Sequence, residues 1–71
     1  MSSVVVIGEE IVVQGYALAG VRVLPADDAA SVRAAYDGLD DGVGVVLLTP
    51  AAASQLPDAL TADWPLTVVL P

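Results

Sequence analysis

Apolar residues gather in four short runs, at residues 4–7, 21–24, 43–48 and 66–70. None of the four alternates cleanly with polar positions. Unbroken β-branched runs suit strands buried on both faces, as in parallel sheets. The segments between them carry helical spacing. In residues 10–19, Ile11, Val12, Tyr16 and Ala19 are predicted on the sheet-facing side. A second helix is predicted from an N-cap at Asp27 or Asp28, with Ala29, Val32, Tyr36 and Leu39 as its buried stripe. Arg33 falls on its solvent side with Asp37 four residues on. Thr49 and Pro50 read as the N-cap and first residue of a third helix running toward Leu60. Pro57 removes a donor inside that helix, so a kink or two short pieces are predicted.

The punctuation agrees with this alternation. Gly8 stands where the first strand turns into the first helix, a turn that suits a residue without a Cβ. Glu9 and Glu10 then fall in the first helical turn, where the helix dipole favours acids. Gly15 lies inside the predicted first helix at a cost of about 1 kcal/mol relative to Ala. Close helix–strand packing is one reason for such a glycine. Gly20 is placed just past the helix end, Pro25 closes the second strand, and Gly38 with Asp40-Asp41-Gly42 forms a turn. The order β-α-β-α-β-α-β implies an α/β fold: a small flavodoxin-like (Rossmann-like) open parallel sheet with right-handed crossovers. The predicted strand order is 2-1-3-4, with three helices, in a single domain over residues 1–71. Three helices cannot cover both faces of four strands. The last strand, at the sheet edge, is an exposed liability.

Composition narrows the function. Seventy-one residues, 56% hydrophobic and without Phe, make a thin core of Val, Ala and Leu. Cys and His are absent, which removes disulfides, Cys-based metal sites and the commonest general base. The net charge is −7, with Arg22 and Arg33 the only cations. Binding to nucleic acid or to an anionic membrane needs Lys and Arg, and is excluded on that ground. No run reaches a membrane span and no basic leader precedes the first strand, so the expected location is cytoplasmic, without membrane insertion.

Ligands of such sheets bind at the carboxyl ends of the strands. The residues there are Gly8, Glu9 and Glu10, then Pro25 to Asp28, then Thr49 and Pro50. A dinucleotide turn would need more glycines and no acids after Gly8, and a P-loop needs a Lys. The pair Glu9-Glu10 resembles the acidic pair of bacterial receiver domains. The phosphorylatable Asp expected after the third strand is missing, and Thr49 stands there. The predicted fold would let Asp27 and Asp28 approach Glu9 and Glu10 across the top of the sheet, but no nucleophile or oxyanion stabiliser accompanies them. No catalytic, cofactor-binding or metal-binding residue is assigned. Trp64 is either a core plug beneath the last loop or a partner-facing anchor.

One family is similar. Residues Val6-Ile7-Gly8-Glu9-Glu10, followed by Val13, Gly15-Tyr16, Leu18-Ala19-Gly20 and Val21, resemble the opening of the F subunit of the archaeal and vacuolar-type rotary ATPases. That opening reads IGD/E, five residues, then G-F-x-L-A-G. Tyr16 stands here for Phe and Glu9 for Asp. The run ending in Thr49 and the closing residues 65–71 are similar too. The resemblance implies a non-catalytic central-stalk (rotor) subunit that binds the coiled-coil D subunit. It would turn within the catalytic hexamer of a proton- or sodium-translocating ATPase, modulating ATP hydrolysis or synthesis, peripheral to a membrane-bound complex. Family members continue past the position of Pro71 into a helical C-terminal segment, so the resemblance implies a shortened form. Contact residues expected from it are Gly15, Tyr16 and Leu18, to which Trp64 is added as an anchor. The alternatives are a stand-alone domain that forms a homodimer through its exposed edge strand, and a degenerate receiver.

Overall fold

A computed structural model describes residues 3–71, with the side chains of residues 17–19 outside the description. Four strands, β1 (Ser3–Gly8), β2 (Arg22–Pro25), β3 (Val43–Leu48) and β4 (Leu66–Val69), form one parallel sheet in the order β2-β1-β3-β4. Three helices connect them, α1 (Glu10–Val13), α2 (Ala29–Asp37) and α3 (Pro50–Ser54). The flavodoxin-like fold and the strand order are as the sequence predicts.

The chain steps from β1 to β2 in one direction, and from β2 to β3 to β4 in the other. Right-handed crossovers therefore place α1 on one face and both α2 and α3 on the other. Burial follows. Val5, Ile7, Val46 and Leu48 point into a core with Val32 of α2, Ala52 and Ala53 of α3, and Leu56. On the opposite face Val6 and Val13 are fully buried, with α1 packed principally on β1 and β2.

The first helix departs from expectation. It is α-helical only to Val13 and continues as a 3₁₀ segment, Gln14–Ala19. Gly15 weakens the helix, and no side chain caps its N-terminus. Its face is corrected as well. Val13 is buried, whereas Ile11 is 81% exposed and Val12 also faces solvent. Three successive apolar residues leave the phase of a helix undetermined, and packing on β1 and β2 selects Val13. Tyr16 is half-buried, and the side chain of Ala19, the fourth predicted position, lies outside the described residues. Gly20 ends the segment with φ +79°, the left-handed conformation expected of a glycine there.

Asp28 rather than Asp27 caps α2, its carboxylate accepting the Ser31 N–H at 2.7 Å. Val32 is buried, while Tyr36 and Leu39 are half-buried against the core; Ala29, predicted in the stripe, is exposed at the first turn. Arg33 lies 3.9 Å from Asp37 as the spacing predicts, but its stronger partner is Asp58, bound through two hydrogen bonds of 3.0 and 3.2 Å. This fork holds the guanidinium's pKa above its ordinary value and the Asp58 carboxyl below its own. The third helix stops at Ser54, and a 3₁₀ turn, Ala59–Thr61, follows Pro57, giving the two short pieces predicted. Thr49 and Pro50 occupy the N-cap and first helical positions.

Candidate functional site

The carboxyl ends of β1, β2 and β3 bring Glu9, Asp27, Asp28 and Thr49 to one edge of the sheet. Thr49 follows β3 and is buried. Its hydroxyl donates to Glu9 Oε1 in a short hydrogen bond, and its oxygen accepts the Ala52 N–H at 3.3 Å. The Thr49 hydroxyl holds the Glu9 carboxyl below its ordinary value of 4.5. Asp27 accepts the Glu10 N–H at 3.3 Å, so it serves the start of α1 from the neighbouring crossover. The backbone N–H of Ser31, bonded to Asp28, holds that carboxyl below its ordinary value too. Glu9, Asp27 and Asp28 line a cleft of about 70 Å³ with Val32, Ala52 and Gln55 at its base.

Each of these three carboxylates is engaged by a hydrogen bond of the fold itself. Glu9 and Asp28, whose carboxyls are held ionised by neighbouring donors, are poor general acids and weak bases near neutrality. Among the described residues, no group of three His, Cys, Asp or Glu side chains is placed to hold a metal ion. The receiver-like reading finds no carboxylate at the position after β3, where Thr49 instead ties β3 to β1.

The Glu9–Thr49 link predicts a pH signature. A carboxyl with a depressed folded pKa adds stability above its ordinary value and loses it as pH falls through the folded one. Glu9→Gln is therefore expected to lower the urea midpoint at pH 7, and the gap to the parent is expected to close as pH falls through the depressed folded pKa of Glu9. Removing one negative charge from a chain of net −7 acts in the opposite sense. Neighbouring carboxylates do not raise the Glu9 pKa, so the weakened bond to Thr49, no longer charge-assisted, decides the sign.

The residues predicted for partner contact do not form one surface. Gly15 is exposed in the 3₁₀ segment, and a Cβ built there meets nothing within 4 Å. That removes close packing as the reason for this glycine. Tyr16 is half-buried in the same segment, which packs on β2. The Leu18 side chain lies outside the described residues. Trp64 precedes β4 at the opposite edge of the sheet, about 14 Å away at three strand spacings. It is 60% exposed, so it is not a core plug.

Exposed apolar side chains that sequence reading did not single out lie near Trp64 along the chain: Leu60, Leu66, Val68 and Val69. The one sequence signal for them was the shortage of helices relative to strands.

The family model for the ATP synthase (F/14-kDa) subunit matches residues 4–71, practically the whole sheet with all its crossovers. The chain belongs to this family. A solved relative, the F subunit of the V-type ATP synthase from Archaeoglobus fulgidus, superposes with a TM-score of 0.66 at 22% sequence identity. The match covers 99% of this chain and 98% of that one. At that identity the likeness speaks for the fold. No curated protein sequence matches the chain. Among the described residues of this family member, no helix is long and apolar enough to cross a membrane.

Proposed function

We propose that the chain is a non-catalytic subunit of the central rotor stalk of a V/A-type ATPase, peripheral to the membrane, where it binds the coiled-coil D subunit and modulates ATP turnover. The observation that carries this reading is the family match over residues 4–71. The acidic edge of the sheet supports it: its carboxylates cap helices and tie strands together, and assemble no nucleophile–base pair. The absence of Cys and His from the whole sequence points the same way. A domain of this size with exposed apolar residues along one edge is suited to serve as a binding partner.

The test is a pull-down of the chain with the D subunit of the same source, with sedimentation of the chain alone alongside. A stable one-to-one complex and a monomeric free chain are expected. Failure to bind, with a discrete homodimer in sedimentation, would replace this reading with self-association through β4.

A further inference from the structure

Of the eight large apolar side chains exposed among the described residues, five lie between positions 60 and 69. The topology explains two of them, Leu66 and Val68. On the face shared by α2 and α3 the sheet is covered at β1 and β3, and Val69, opposite Leu48 on that face, is exposed only at the β4 edge. On the other face α1 and its 3₁₀ continuation pack principally on β1 and β2, and the β3–β4 half is left open. The strand register places Val45 opposite Leu66 and Leu47 opposite Val68 on that open half. Val45 and Leu47 are half-buried, Leu66 is 59% and Val68 43% exposed, and Trp64 stands at the entry to β4.

We infer that this strip docks a single amphipathic helix of the stalk partner, its apolar stripe laid along β3 and β4 and flanked by Lys or Arg. The inference rests on the stalk reading and adds the surface and the chemistry of its occupant. Two strands about 4.8 Å apart make a platform as wide as one helix of about 10 Å diameter, and a helix there completes the layer that α1 begins over β1 and β2. Strand addition at the β4 edge fits less well, because the strand has four residues and lies between Pro65 and Pro71.

Charge selects the occupant. The chain carries nine acids and two cations. Arg22 pairs with Asp40, and Arg33 with Asp58 and Asp37, both away from the strip. A second copy would bring another net −7, with both of its arginines already paired. A basic-flanked helix meets an apolar strip on an acidic protein, with Asp63 exposed beside Trp64 at one end.

The experiment measures the affinity of the chain for the D subunit by calorimetry, for the parent and for Trp64→Ala, Leu66→Glu and Val68→Glu. Ala30→Glu, exposed on the α2 layer, serves as the control, and circular dichroism verifies the fold of each variant. Loss of about 30-fold or more for the strip variants, none for the control, and weaker binding at higher salt are expected. Folded strip variants that bind within about threefold of the parent would overturn the docking surface while leaving the stalk reading intact. A parent chain that does not bind the D subunit at all would remove both. A free-chain dimer dissolved by Leu66→Glu would make the occupant a second copy and overturn the inference.

Discussion

Gly8→Ala is expected to lower the unfolding free energy by about 3 kcal/mol. A Cβ at Gly8 would stand 2.9 Å from the Thr49 Cβ and overlap its Oγ1 and Cγ2. Neither side is free to yield. Gly8 is the last residue of β1, paired with Pro25, and its carbonyl accepts the Ala26 N–H at 2.8 Å. Thr49 is held by Glu9 and by the first turn of α3. Reduced freedom of the unfolded chain would favour Ala by about 0.4–1 kcal/mol, less than the overlap costs. A domain of this size has a total stability of roughly 4–11 kcal/mol, so the change removes a large share of it. The melting temperature should fall by about 12–24 °C. Gly8→Ala combined with Thr49→Ala should cost less than the two changes summed, because the second truncation removes the two nearest overlapping atoms, Oγ1 and Cγ2. Additive effects would show that the close approach is not the cause.

The second large effect is expected at Leu56. Leu56→Ala should lower stability by about 3 kcal/mol, read as a shifted urea midpoint with an unchanged m-value. Leu56 is fully buried, yet it lies in the connector between α3 and the 3₁₀ turn. Its N–H bonds to the Ala53 carbonyl and its own carbonyl accepts the Ala59 N–H, both at 3.0 Å. Together with Ile7 and Leu48 it is among the largest fully buried side chains, and its helical neighbours in the core, Ala52, Ala53 and Ala59, are small. Small neighbours have no atoms to move into the space left by an isobutyl group, which puts the cost in the middle of the usual range. A loss under about 1 kcal/mol would mean that the connector does not anchor the last crossover to the core.

Much of the architecture was legible from local patterns. Val43–Leu48 reads as a buried strand because an apolar run without alternation fits a sheet covered by helices. Thr49-Pro50 reads as a helix start because both residues satisfy the special geometry of a first turn. The candidate site was less legible. The acids at the strand ends were found as residues, but their roles depend on partners distant in sequence: Thr49 for Glu9, forty positions away, and the Glu10 N–H for Asp27. Gly8 was expected to serve a turn. Its φ is not among the positive ones, and what it supplies is room for Thr49.

Element order, strand order and family were all readable along the chain. They rest on interactions within a few residues, on chain-length limits and on the handedness of crossovers, all of which are local or topological. Packing in three dimensions settled which of Ile11, Val12 and Val13 turns inward, that Arg33 grips Asp58, and that Trp64 faces solvent. It also showed that Leu66 and Val68 of β4 stand exposed on the open half of the sheet. Those outcomes depend on which surfaces meet once the sheet has formed, and hydrophobic spacing carries no information about a neighbour forty residues away.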